Sequence, residues 1–162
     1  MLNPRPGQAL APILIFGYCN PARRDDRLGP RFVELIQSMQ KHANFDTITD
    51  YQLQVEHALD LVHRQQVIFV DASVSAAAPF EFTQVLPSRD TSYTSHAMTP
   101  AALLAVYEQV CDQALPDARL LSIRGYAFEL GSPISARAVT NLDHSAGFLR
   151  ELLNTASDKD PD

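Results

Sequence analysis

The sequence is poor in cysteine. Its two cysteines, Cys19 and Cys111, lie far apart, and no second cysteine follows either at the short spacing of a zinc knuckle or a redox pair. The sequence therefore suggests neither a disulfide framework nor a structural zinc. Cys111 is expected to pack on an apolar helix face.

Long apolar runs and basic clusters are also missing. The longest apolar run near the N-terminus, Ile13 to Phe16, is too short for a bilayer span or a signal peptide. The net charge is −6, and the 13 Lys and Arg are scattered except for Arg23 and Arg24, so no basic face is available to neutralise phosphates. We expect a soluble, cytoplasmic protein that binds neither membrane nor nucleic acid.

What the sequence does contain is typical of a globular protein. The chain has 162 residues, of which 46% are hydrophobic and 20% charged. A chain of this length and composition can bury a core without disulfides or structural metals. The Pro-containing start and the acidic end, Ser157 to Asp162, are the only candidate tails. We predict one domain over residues 1–162, with its core at about 12–153 and short flexible tails.

Short apolar runs alternate with longer stretches of helical period, which predicts an α/β fold: three layers, with a twisted, mostly parallel sheet of about five strands between helices. Near-continuous apolar runs are typical of central strands, and alternating ones of outer strands. The predicted central strands are Pro12–Phe16 and Val67–Val70, a third is Arg119–Ile123, and the outer ones are Thr47–Leu53 and Phe80–Val85.

Four helices fit between and after these strands. Thr99 and Pro100 predict the start of the third, as a cap followed by proline at the first helical position, and Leu115-Pro116 its end. The predicted apolar faces are Phe32, Ile36 and Met39; Val55, Leu59 and Val62, more weakly; Leu103, Tyr107, Val110 and Ala114; and Val139, Leu142, Ala146, Leu149 and Leu153.

In an open sheet of this kind, ligands bind beyond the carboxyl ends of the strands, so we looked there for polar residues. The first central strand leads into a loop with adjacent carboxylates, Asp25 and Asp26, and the second leads directly into Asp71. His96 precedes the third helix. Asp26, Asp71 and His96 together would suit a borderline divalent metal and leave coordination positions open.

Each of these residues also has an ordinary structural explanation. The Asp25-Asp26 pair can cap the following helix, Asp71 can bond its own backbone in a turn, and His96 can be exposed or capping. Other chemistries lack their signatures: the Gly17 loop has neither a dinucleotide pattern nor a Walker lysine, and no Gly-x-Ser-x-Gly or His-Glu-x-x-His occurs. No organic cofactor is expected.

One motif is more specific. Gly17 to Gly29 reads Gly-x-x-Asn-Pro-x-x-x-Asp-Asp-x-x-Gly, which resembles the opening signature of the nickel-iron hydrogenase maturation endopeptidases, the proteases that process the C-terminus of the hydrogenase large subunit. The resemblance spans roughly residues 12 to 153. Further matches in the same order are Tyr51-Gln52-Leu53 before Glu56, Val67–Val70 ending in Asp71-Ala72, Ser95-His96 before Leu103-Leu104, and Phe128 to Ser135.

The resemblance implies the same α/β fold and a specific activity. The family's metal contacts fall on Asp26, Asp71 and His96 of this sequence. These enzymes are thought to recognise nickel already inserted in the large-subunit precursor and then to remove its C-terminal extension, so nickel is supplied by the substrate. On this hypothesis Asp26 and Asp71 are also catalytic, as in an aspartic-type endopeptidase, and no covalent enzyme intermediate forms.

The sequence departs from the family where glycine is usual, with Cys19 and Arg27 instead. Larger side chains there can change how closely the backbone approaches a metal. These departures support one alternative, a protein that binds the nickel site of an immature subunit without cutting it. A second alternative is an unrelated small-molecule α/β hydrolase or transferase, because the fold permits many chemistries.

Overall fold

The computed structural model describes residues 9–18, 27–38, 44–89, 98–129, 131 and 133–157. Strands and helices alternate along this part of the chain, except that two strands follow one another at 66–84, and one of the helices, Val55–Leu61, is a 3₁₀ helix. The other elements are β1 (Ile13–Tyr18), α1 (Leu28–Gln37), β2 (Phe45–Asp50), β3 (Gln66–Ser73), β4 (Phe80–Gln84), α2 (Pro100–Val110), β5 (Asp117–Arg124) and α3 (Ala136–Ser157).

The strands form one five-stranded sheet in the order β2-β1-β3-β5-β4. All neighbours are parallel except β4, which runs antiparallel to β5. The two apolar runs lie inside the sheet as β1 and β3, because such strands need cover on both faces. The alternating runs form the two edges, β2 and β4, which confirms the predicted central and outer strands, although β2 ends at Asp50 rather than at the predicted Leu53.

Helices cover both faces of the sheet. On one face, α1 and α3 pack over inward-pointing strand residues such as Ile15, Ile68 and Leu121. On the other, α2 and the 3₁₀ helix pack over Leu14, Phe16, Phe69 and their neighbours. Successive side chains of a strand point to opposite faces of the sheet, so each strand contributes apolar residues to both cores. The predicted three-layer α/β fold is confirmed.

The predicted face of the second helix was wrong. That segment forms the 3₁₀ helix, whose buried side chains are His57, Ala58 and Leu61, while Val55 and Leu59 are more than half exposed. A 3₁₀ helix has three residues per turn, so an apolar face predicted from 3.6 residues per turn does not match the face that is buried.

The third and fourth helices needed smaller corrections. The helix α2 ends at Val110, before the predicted Leu115-Pro116, and Val110 is exposed while Leu103, Leu104 and Tyr107 are buried. In α3, Val139 is 41% exposed, and the other four predicted residues are buried. The predicted α2 cap is confirmed, since the Thr99 side chain accepts a hydrogen bond from the backbone N–H of Ala102.

A buried ion pair joins the start of β2 to the turn before β3. The Arg64 side chain is only 1% exposed and pairs with Asp46, whose side chain is 30% exposed. The same guanidinium donates to the carbonyl of Ala11 at 2.7 Å. Three separate segments are thereby fixed beneath the amino ends of the strands.

Candidate functional site at the carboxyl edge of the sheet

Asp71 lies near the carboxyl end of the central strand β3. The strand continues three residues further than predicted, to Ser73, because Asp71, Ala72 and Ser73 pair with β5. The carboxylate is therefore held by a paired strand rather than by the start of a loop. Its Oδ1 accepts a hydrogen bond from the backbone N–H of Ala72 at 2.8 Å, the local bond that an ordinary structural aspartate also makes.

Tyr18 is the last residue of the neighbouring strand β1, and its hydroxyl is hydrogen-bonded to the Asp71 side chain. Burial raises the pKa of the Tyr18 phenol far above its ordinary value, and the negative charge of Asp71 and their hydrogen bond raise it further. The phenol therefore stays neutral, and its O–H donates a hydrogen bond to the carboxylate. Sequence reasoning missed this residue, although Tyr18 follows an apolar run as Asp71 does.

A second carboxylate, Asp50, ends the edge strand β2 opposite Tyr18. Its Oδ2 lies 3.2 Å from Nε2 of His57, and Nδ1 of the same ring lies 2.8 Å from the backbone N of Gln54. These contacts assign the proton to Nε2, which donates to Asp50. The ring packs edge-on against Phe16 with centroids 4.7 Å apart, so the pair fastens the 3₁₀ helix to the sheet.

Two glycines bring α1 unusually close to this edge. A Cβ built on Gly17 would lie 2.7 Å from the carbonyl oxygen of Gly29, and one built on Gly29 would lie 2.9 Å from the carbonyl oxygens of Tyr18 and Val70. Only residues without a side chain fit such a contact. The first turn of α1 therefore rests directly on the ends of β1 and β3, next to Asp71.

Asp26 and His96, together with Asp25 and Cys19, lie outside the described residues. Their nearest described neighbours border the same edge: Arg27 precedes α1, and Met98 forms an isolated bridge with Leu53. Among the described residues, no three His, Cys, Asp or Glu side chains are grouped so that they could hold a metal ion. The three-residue metal site stays a prediction.

Arg27, one of the two departures from the resembled motif, has an exposed side chain. It borders a cleft formed with α1 and with residues of the α3 side, including Pro133 and Asp143. That cleft lies on the other face of the sheet from α2. The Arg27 side chain thus does not line the space into which Asp71 faces.

Asp71 and Tyr18 line a groove of about 530 Å³ between α2 and the β4–β5 end of the sheet. Of the described residues that line it, Asp71 is the only charged one. The others are mostly apolar or small, among them Val85, Leu86 and Met98. A groove of this size with a mostly apolar described lining is suited to a short peptide segment or a small molecule.

No helix in the described ranges is both long and apolar enough to cross a bilayer. Comparison of the chain with protein-family models gives no match, and none of the curated proteins matches it either.

Solved structures, in contrast, match nearly the whole fold. The nickel-iron hydrogenase maturation protease HycI from Thermococcus kodakarensis KOD1 is similar with a TM-score of 0.67 at 19% identity, over 89% of this chain and 93% of that one. The hydrogenase maturating endopeptidase HybD from E. coli also has a TM-score of 0.67, at 17% identity over the same shares.

A hydrogenase 2 maturation peptidase from Thaumarchaeota archaeon SCGC_AB-539-E09 has a TM-score of 0.63 at 22% identity, over 88% of this chain and 97% of that one. At such identities the match establishes the fold. The chain therefore has the fold of hydrogenase maturation proteases, in agreement with the resemblance of its Gly17 to Gly29 motif.

Proposed function

We propose that this chain is a hydrogenase maturation endopeptidase, which recognises nickel in the large-subunit precursor of a nickel-iron hydrogenase and removes the C-terminal extension of that precursor. The observation that carries the proposal is the position of Asp71. It lies at the carboxyl edge of a sheet with the fold of these proteases, and it faces a groove in which it is the only charged lining residue among those described.

In this proposal the substrate's nickel is bound by Asp26, Asp71 and His96. The close Gly17–Gly29 contact supports a role for Asp26, because the chain enters α1 next to Asp71. The Leu53–Met98 bridge supports a role for His96, because the chain enters α2 over the same edge. Three protein ligands leave coordination positions for groups of the precursor.

The chemistry is hydrolysis of one peptide bond. The metal polarises the scissile carbonyl or a water, and Asp26 or Asp71 takes a proton from the attacking water. The water oxygen bonds to the carbonyl carbon, the C–N bond breaks, and the proton passes to the leaving amine. The groove beside Asp71 has room for residues that flank this bond. The reaction is proposed to occur in the cytoplasm.

The test is processing of a nickel-loaded precursor, followed by intact mass. Wild-type protein is expected to remove the extension, whereas Asp71→Ala and His96→Ala are expected to fold and leave it in place. The matched control is Asp117→Ala, because Asp117 begins β5 at the opposite edge of the sheet, where its carboxylate contacts Gln66 and Arg119. This variant should cut normally.

Failure of the wild-type protein to cut a precursor that a related maturation enzyme cuts would reject the proposal. Stoichiometric binding of that uncut precursor would then favour the non-cutting nickel-site binder. Full activity of Asp71→Ala would instead remove Asp71 from the site.

A further inference from the structure

The backbone of Tyr18 is held from three sides. On one side, β1 pairs with β2, where Tyr18 lies opposite Asp50, and on the other it pairs with β3, where Gly17 lies opposite Val70. From one face, Gly29 approaches so closely that an added Cβ would lie 2.9 Å from the Tyr18 carbonyl oxygen. The position from which the phenol extends is therefore fixed by the fold.

The ring of Tyr18 is also confined. It packs edge-on against the fully buried Phe16 with ring centroids 6.3 Å apart, and it belongs to the margin of the core beneath α2. A tyrosine has only two side-chain torsions, so little conformational freedom is left once the ring is packed. Its hydroxyl is directed to the Asp71 side chain.

The Asp71 carboxylate accepts hydrogen bonds from the Ala72 amide and from the Tyr18 hydroxyl. An ionised carboxylate only accepts hydrogen bonds, so these two donors orient its oxygens. Groups that hydrogen-bond to metal-binding or catalytic residues in this way fix their geometry before substrate arrives.

We propose that Tyr18 is a positioning residue, whose hydroxyl holds the Asp71 carboxylate in the orientation needed for cleavage. This inference rests on the proposed function. It assigns to Tyr18 no proton transfer and no contact with the scissile bond.

The informative variant is Tyr18→Phe, which removes one oxygen and leaves the ring in place. Loss of such a supporting hydrogen bond commonly costs about 10- to 100-fold in metal affinity or activity. Here we expect kcat to fall by roughly that factor. The ring still lines the groove in this variant, so the fold is expected to stay intact.

The matched control is Tyr107→Phe. Tyr107 lies in the same core cluster, and its hydroxyl donates to the carbonyl of Ala114 at 3.3 Å, away from Asp71. The Tyr107→Phe variant therefore loses a tyrosine hydroxyl of the same core without altering the surroundings of Asp71. Normal kcat is expected for this variant, and a fall equal to that of Tyr18→Phe would overturn the inference.

A second measurement needs neither precursor nor turnover. In protein labelled at the aspartate carboxyl carbons, the Asp71 signal, assigned by its loss in Asp71→Asn, should move in Tyr18→Phe and stay in place in Tyr107→Phe. An unmoved Asp71 signal would overturn the inference even if kcat fell, because the fall would then come from general loosening. Thermal melts of both variants show whether they remain folded.

The two ways of failing are distinct. If wild-type protein cuts and Tyr18→Phe cuts equally fast, the positioning role is wrong and the proposed function stands. If wild-type protein does not cut a competent precursor, the proposed function is wrong, and the role of Tyr18 in cleavage is rejected with it.

Discussion

Replacing Gly29 and Gly147 by alanine should have opposite effects on stability, although both glycines lie in helices. Around Gly147, in the middle of α3, nothing lies within 4 Å of an added Cβ. Alanine is the better helix former by about 1 kcal/mol. Gly147→Ala should therefore stabilise the protein by about 1 kcal/mol, which raises Tm by about 2–4 °C for a chain of this size.

At Gly29 the added Cβ would lie 2.9 Å from two backbone carbonyl oxygens, those of Tyr18 and Val70. Neither strand can move without breaking its pairing with the other, so the contact cannot relax easily. Overpacking of this kind destabilises the fold by about 1–3 kcal/mol. This loss is larger than the gain in helix propensity from alanine. Gly29→Ala should lower Tm, and it should slow processing, because the displaced atoms are those next to Asp71.

Thermal and urea denaturation of both variants, with processing measured well below Tm, test this comparison. A Gly29→Ala protein that melts at or above the wild-type temperature would refute the reasoning, because the close contact would then impose no constraint. A destabilised Gly147→Ala would show instead that alanine at this position of α3 does not give the expected gain in helix stability. The argument for Gly29 would be unaffected.

Two further substitutions probe the scaffold. Leu142→Ala, in the core face of α3, should cost on the order of 2–5 kcal/mol in urea denaturation and leave processing at low temperature unaltered. Asp46→Ala should lower the free energy of unfolding by about 3 kcal/mol, because the guanidinium of Arg64 is then buried without its carboxylate. A loss below about 0.5 kcal/mol, the range of ordinary surface substitutions, would show that Arg64 finds another partner.

Features that depend on neighbouring residues were predictable from the sequence. The apolar runs of β1 and β3 and the cap at Thr99 each carry their own signal within a few residues. The position of Asp71 at the carboxyl edge also followed, because it comes directly after an apolar run. Its role, like those of Asp26 and His96, stays a prediction.

Features set by distant contacts were not predictable. Apolar periodicity cannot tell which residues a neighbouring element covers, so Val110 and Val139 were placed in the core although both are exposed. The contact of Tyr18 with Asp71 depends on the register between β1 and β3, and no pattern within either strand encodes that register. The same is true of the bond between His57 and Asp50.

The order of the strands has a consequence for the growing chain during translation. The strand β3 ends at Ser73, but its second neighbour β5 begins only at Asp117, and β4, although made earlier, pairs only with β5. One side of the strand that carries Asp71 therefore has no partner until most of the polypeptide has left the ribosome. A nascent fragment that lacks β5 cannot assemble this edge, so the groove beside Asp71 forms only after the residues of β5 have been made.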